Sequence, residues 1–441
     1  MADIFTSRTI TKLFFMKKKS FLKASIFSFI IRIFGALSAF CFNLSITKVL
    51  TISEAGAFFL SFSILIVFWN IGSLGMPIAL VRFVGKFHSE NKMSEVFSVV
   101  SLASKSVLLA STILGVGLFF LADQLVNVGS LPTAVTPILK LMAFTVPAFA
   151  ICNLIAFSFQ GLHKPGVSIL LQNILAPLLT CLVLMLFFIM SYPTDILIVS
   201  YIFIFCAFFT FIVAICLWIN LPGFSLTLNP RRDVDFTKSS RSLYVANIMG
   251  LLVQWSGIIL VGAFVKEEDV ALFSVAQRIS MLTSFVLVAV NLVAAPRFSA
   301  CFSSGRLDEL KNTALFCNRI MLIAATPVLL VMLFFPRFFL GLFGDEYQQA
   351  TLLLQILVIG QFINVVTGSV GYLLNMTGHE KDMRNVVMLS GLLAIILGGV
   401  LTPLYGTMGA AVATAIAVAS QNLLAVVIVK KRLGFYTIKI F

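Results

Sequence analysis

Acidic side chains are scarce in this 441-residue sequence, and none lies well inside an apolar run: all 17 Asp and Glu fall in loops or at run ends. Charged residues make up only 11% of the chain against 60% hydrophobic, a balance that excludes a soluble globular domain of this length. Histidine is nearly missing too. His88, His163 and His379 all sit outside the apolar runs, so neither a buried metal nor a histidine proton relay is expected. Of seven cysteines, six (Cys41, Cys152, Cys181, Cys206, Cys216 and Cys317) lie within runs, with neither a disulfide framework nor metal-ligand spacing. No nucleophile, base and oxyanion donor stand together anywhere, which argues against an enzyme. No cofactor is expected.

What the chain has is apolar length. A helix needs roughly 20 apolar residues to cross about 30 Å of hydrocarbon. Twelve such runs fill the sequence: 21–46, 55–80, 99–121, 139–158, 168–189, 196–219, 243–264, 270–294, 313–335, 350–374, 386–402 and 406–429, the last two being the weakest. The expected fold class is therefore an all-α polytopic membrane protein with twelve transmembrane helices.

Lys and Arg fix the expected orientation. Of 31 basic residues, 23 fall on the side that holds both termini, four on the other side (Lys48, Lys140, Lys266 and Arg337) and four within runs (Arg32, Lys105, Arg278 and Arg319). Both termini are thus expected in the cytoplasm of a multi-pass plasma-membrane protein. The net charge of +14 follows from this bias, favours anionic lipid headgroups and requires no nucleic acid. The basic start with its first run reads as an uncleaved anchor, because the run is long and no A-x-A-like site closes it.

The halves repeat. At an offset of 214 residues Glu54 matches Glu268, Ala57 Ala271, Phe59 Phe273, Lys92 Arg306, Glu95 Glu309 and Lys105 Arg319. Six spans per half put both halves in from the same side, giving two six-helix lobes related by a pseudo-two-fold along the membrane normal. The expected division is an N-terminal lobe 1–219, a cytoplasmic linker 220–242 containing Pro222 and Pro230, and a C-terminal lobe 243–441. A substrate route between such lobes is a common transporter plan.

Arg32 and Arg278 lie deepest among the charges. Counted from Lys23 and Val270, they stand about 12–14 Å along their helices at 1.5 Å per residue. A cation there costs at least about 2.5–3.5 kcal/mol unless wet or paired. With no carboxylate in the spans, water and an anionic ligand are its natural partners. Helical stripes of polar and small residues accompany both: Ser25, Ser28, Arg32, Gly35, Ala36, Ala39 and Asn43 in the first span, and Ser274, Gln277, Ser284 and Asn291 in the eighth. The seventh carries Asn247, Gly250, Gln254 and Gly257, and the second Gly56, Ser63 and Asn70. Two readings stand: a wet cleft lined by spans 1, 2, 7 and 8, or interhelical packing, with Arg32 reaching the headgroups. Pro147, Pro177 and Pro327 favour kinks.

Three stretches carry a family resemblance. Glu54-Ala-Gly-Ala-Phe-Phe runs to Leu74-Gly-Met-Pro77-Ile-Ala-Leu-Val-Arg82; Val270-Ala-Leu-Phe-Ser-Val-Ala-Gln-Arg278 runs to Ala295-Pro-Arg297-Phe-Ser; and Tyr405-Gly-Thr-Met-Gly-Ala-Ala-Val-Ala-Thr414 opens the last span. In order and spacing they resemble the multidrug/oligosaccharidyl-lipid/polysaccharide flippase superfamily, and within it the O-antigen (Wzx-type) flippases, over roughly residues 20 to 432. The resemblance implies a MATE-like V of two lobes that moves an undecaprenyl-pyrophosphate-linked oligosaccharide from inner to outer leaflet of a bacterial inner membrane. It also implies a cationic cleft, with Arg32, Arg278, Asn43, Asn70, Asn247, Gln254, Gln277 and Asn291 as the substrate-binding set. The implied partners are the polyprenyl-pyrophosphate-linked glycan, membrane lipids, and an O-antigen polymerase with its chain-length machinery. Rival readings differ in kind. A multidrug antiporter of the superfamily usually uses intramembrane acids, a lipid II flippase typically adds two helices, and an O-antigen polymerase generally carries a large outward loop.

Overall fold

The computed structural model describes residues 30–129, 131–225 and 234–438. Among these there is no strand; the chain is helix almost throughout. The first lobe contains α1 (Ile30–Val49), α2 (Ile52–Gly72), α3 (Met76–Ser89), α4 (Met93–Val128), α5 (Val135–Ala143), α6 (Thr145–Gly161), α7 (Pro165–Ile189) and α8 (Ile196–Ile219). The second contains α9 (Val234–Phe264), α10 (Glu267–Ser280), α11 (Ser284–Ser303), α12 (Leu307–Phe334), α13 (Pro336–Phe343), α14 (Thr351–Thr367), α15 (Val370–Met376) and α16 (Glu380–Leu433). Ser25 and Ser28 lie outside the described residues.

Several spans are built from two helices, and each break has a local cause. Between α2 and α3 the chain turns through Leu74 and Gly75, both left-handed (φ 53° and 68°), and Pro77 starts the new helix without needing an N–H partner. α5 and α6 meet at 51°. Pro147 accounts for this bend, because it cannot donate to the Ala143 carbonyl four residues back. In α7 a π-helical segment, Leu170–Ile174, precedes Pro177, which likewise leaves the Asn173 carbonyl without its helical donor. α10 passes into α11 through one 3₁₀ turn, Met281–Thr283.

α16 is a hairpin. A straight helix of its 54 residues would reach about 81 Å, far more than a bilayer core. Gly406 leaves the helical region (φ 59°, ψ −141°) close after Pro403. Gly409 comes back so tightly that a Cβ there would overlap the Leu401 carbonyl. Its two arms are the eleventh and twelfth crossings. The first arm begins at Glu380 rather than 386. The ninth crossing, α12, likewise starts at Leu307 rather than 313, because its basic-side turns run beyond the apolar window into polar surroundings. For the same reason 234–242, read from sequence as linker, is already helix at the start of α9.

The lobes share their largest core at one end. Phe42, Phe58, Leu118, Val135 and Leu184 join Val261, Phe273, Met321, Leu340 and Leu354 in a single apolar cluster, at the end where α1 meets α2 and α9 meets α10. Toward the opposite, basic side the cores separate. One gathers Leu80, Val100, Ile155 and Trp218 around Phe236 from the start of α9, and another gathers Phe298, Leu310, Leu373 and Val429. This is a V whose apex faces away from the basic side. At the apex Ser53 donates a hydrogen bond to Glu267, and a Cβ on Gly56 would overlap the Glu267 carbonyl. Ser53 and Glu267 are 214 residues apart, the repeat offset, so the local two-fold passes between α2 and α10. From there α9 runs antiparallel along α2 and α3: Gly262 against Leu60, Asn247 against Asn70, and Phe236 edge-on to Phe83 at 5.3 Å.

Candidate functional site

Two cavities are lined by the polar stripes. The first, about 350 Å³, lies among α1, α6, α7 and the start of α11. The α1 stripe forms one wall: Arg32, Gly35, Ala36 and Ala39 all line it, because steps of three and four keep them on one helical face. Opposing chemistry comes from Gln160 on α6 and from Ser168, Gln172 and Asn173 on α7, the last two inside the π-helical segment. Gln172 Nε2 donates to Ser168 Oγ at 2.8 Å. Arg32 is half-buried, and its Nε is shielded without a hydrogen-bond partner. No acid lines this space.

The second cavity, about 460 Å³, lies among α9, α10, α11, α14 and both arms of α16. Seven amide side chains line it and no charged one does: Asn247 and Gln254 from α9, Gln277 from α10, Gln361 and Asn364 from α14, and Gln421 and Asn422 from α16. Ser280, Ser284 and Thr414 add hydroxyls. Gln277 Nε2 donates to the Gln254 carbonyl at 2.7 Å, which fixes the amide and leaves Oε1 buried without a donor. Asn364 donates to Gln361 Oε1 at 3.2 Å, and Asn422 Nδ2 to the Val418 carbonyl at 2.9 Å.

Arg278 lies in neither cavity wall. One residue on from Gln277, it points to the first lobe and lies over the Phe59 ring of α2, 4.7 Å from its centroid, with Phe62 at 5.9 Å. Nε and Nη2 are buried without hydrogen-bond partners. Aromatic faces stabilise a guanidinium by about 0.5–2 kcal/mol, less than two missing charge-assisted hydrogen bonds would supply. Phe62 itself packs into a ring cluster with Phe42, Phe58 and Phe203. Arg278 is thus a half-buried cation on an aromatic seat between the lobes, with donor capacity left over.

The sequence-derived set divides three ways. Arg32, Asn247, Gln254 and Gln277 line cavities. Arg278 and Asn70 are at the seam between lobes, Asn70 donating to the Ile66 carbonyl at 2.9 Å and accepting weakly from Asn247 at 3.5 Å. Asn43 and Asn291 are buried away from both cavities, each with an unpartnered Oδ1. The second-span stripe is packing: Gly56 admits α10, and Ser63 bonds back to the Phe59 carbonyl. Walls come instead, in part, from equivalent helices of the two repeats. Gln160, Gln172, Asn173, Gln361, Asn364, Gln421 and Asn422 were missed. Their only sequence signal was adjacency in pairs, Gln172-Asn173 and Gln421-Asn422, and the i, i+3 spacing of Gln361 and Asn364.

Residues 21–302 match the family model described as polysaccharide biosynthesis protein, well over half of the chain. The chain belongs to that family. A second model, MatE, matches residues 243–400. Among curated proteins, the probable low-salt glycan biosynthesis flippase Agl15 of Haloferax volcanii is 26% identical over 198 residues. That alignment spans 42% of this chain and 41% of the relative's length. Among solved structures, the inward-facing conformation of a multidrug resistance MATE family transporter of the MOP superfamily superposes with a TM-score of 0.74 at 14% identity, covering 93% of this chain and 98% of the other. The lipid II flippase MurJ in an inward closed conformation gives 0.67 at 16% identity, covering 93% and 87%. At these identities the structures establish a shared fold. This family member is a multi-pass membrane protein of MATE-like architecture.

Proposed function

We propose that the protein is a flippase that carries a polyprenyl-pyrophosphate-linked oligosaccharide, an O-antigen or related surface-polysaccharide repeat unit, from the cytoplasmic to the outer leaflet of the plasma membrane. In this reading the basic side with both termini is cytoplasmic, the V opens inward, and the segment 220–233 joins the moving lobes. The Haloferax relative, named as a glycan biosynthesis flippase, supports the class.

One observation carries the reading: Arg278, seated on Phe59 between the lobes, keeps two buried donors unpaired in a membrane interior without a carboxylate. Guanidinium donors match phosphate oxygens in pairs. Arg32, in its cavity beside Phe285 and Val288 of α11, meets the pyrophosphate first. Phe285 precedes Arg278 from the basic side by seven residues, about 10 Å of helix, so the two arginines are successive stations rather than one clamp. Outward movement of two negative charges is also favoured by about 4–5 kcal/mol per 100 mV of inside-negative potential.

The test is complementation of a flippase-null strain. Arg278→Ala, alone and with Arg32→Ala, is expected to remove surface glycan while the protein reaches the membrane in normal amount. Near-normal export from the double variant would overturn the reading. Orientation is tested separately with an impermeant thiol reagent on intact cells carrying single cysteines in a Cys-less background. Lys266→Cys should react, and Lys238→Cys and Lys311→Cys should not.

A further inference from the structure

The second cavity has a chemistry that the pyrophosphate does not need. A strong anion site requires a cation, or convergent N–H donors unopposed by acceptors; this cavity has no charged wall residue, and every amide that brings donors into it brings an acceptor oxygen too. Its amides carry acceptors as well as donors: Gln277 Oε1 is buried and unpartnered, and Gln361, Asn364 and Asn422 each commit only part of their capacity to protein. A buried acceptor without a donor costs about 1–3 kcal/mol. It is satisfied by water or by a ligand hydroxyl or amide N–H, and not by an ionised carboxylate or phosphate oxygen. The volume, about 460 Å³, is in the range of small-molecule sites.

We infer that the cavity among α9, α10, α14 and α16 is a subsite for uncharged sugars of the cargo, hydroxyl- and acetamido-bearing, with Gln277 Oε1 as an acceptor and Gln361 and Asn364 as two-way partners. The inference deepens the flippase reading and rests on it for the link to transport. It assigns the two ends of one cargo to different places: phosphates to the arginines of the first cavity and the seam, and sugars to the amides of the second. It also sets a selectivity. A uronate brought into this cavity exchanges hydration for amide oxygens and uncharged donors, which leaves a buried carboxylate uncompensated.

The test uses purified protein in nanodiscs and two soluble tetrasaccharides without lipid or phosphate. One is the chitin tetrasaccharide, neutral and N-acetylated. The other is the hyaluronan tetrasaccharide, in which a uronate alternates with the acetamido sugar. Saturation-transfer NMR and calorimetry should show saturable binding of the neutral sugar at least about tenfold tighter than the acidic one, a difference of about 1.4 kcal/mol. Gln361→Leu with Asn364→Leu should weaken that binding by about tenfold or more. Gln421→Trp, which fills the cavity from a half-buried wall, should abolish it even if the double variant fails to fold. Lys92→Ala, exposed on the basic side and outside both cavities, should leave it unchanged. Equal affinity for the two sugars, no saturable binding of either, or binding indifferent to Gln421→Trp overturns the subsite. Export that survives loss of both arginines overturns the flippase reading, a separate result from any of these.

Discussion

The two cavities differ less in size than in chemistry: about 350 Å³ with a guanidinium in the first, about 460 Å³ with seven amides and no charge in the second. Equivalent helices supply part of each wall, α1, α6 and α7 in one and α9, α14 and the first arm of α16 in the other, so the duplication explains part of the spaces and leaves the contents unexplained. At the repeat offset Arg278 corresponds to Ile64, and Arg32 to Ala246. The two pockets thus differ in the side chains that line them. The apex is the reverse case. Ser53 and Glu267 occupy equivalent positions and touch, so there the two-fold itself is the structural device.

That contrast between a shared apex and divergent pockets can be broken at the apex first, with the largest effect. Gly56→Ala places a Cβ into the Glu267 carbonyl, and overpacking against backbone costs roughly 1–3 kcal/mol or more. The melting temperature in detergent should fall and export with it. Gly117→Ala, where a Cβ meets nothing within 4 Å, should hold or slightly raise the melting temperature. Equal behaviour of the two variants would refute the close-packed apex. A smaller effect is expected at the seam: Arg278→Lys keeps the charge and loses the paired donors, so export should drop by roughly tenfold and not vanish. The smallest belongs to Asn70→Ala, which loses a 3.5 Å contact to Asn247 and should change export less than about twofold.

Much of the architecture is legible in the amino-acid sequence. Hydropathy located every crossing, including the weak final pair, because crossing a bilayer imposes length and apolarity on each helix alone. The offset of 214 was legible in loop acids and proved to be a contact. The breaks were not. Leu74-Gly75 and Met281–Thr283 interrupt runs that stay apolar through the break, and hydropathy is blind to backbone direction. The cavity walls were half legible. Arg32, Gly35, Ala36 and Ala39 of the α1 stripe and Asn247, Gly250 and Gln254 of α9 line cavities, whereas Asn43 is buried away from them and Gly56, Ser63 and Asn70 are packing. A small or amide residue suits a wet wall and a close helix crossing equally well, and only the opposing helix decides between them. Gln361, Asn364, Gln421 and Asn422 gain their meaning from α14 and α16 facing α9, a pairing that no local pattern encodes.

Binding of a sugar-free polyprenyl pyrophosphate to the reconstituted protein tests the division of labour most directly. The account predicts that Arg278→Ala weakens this binding by roughly ten- to a hundredfold, the worth of a lost charge-assisted contact, while Gln361→Leu with Asn364→Leu leaves it within about twofold of the unmodified protein. Equal loss from both variants, or a larger loss from the amide pair, would contradict it.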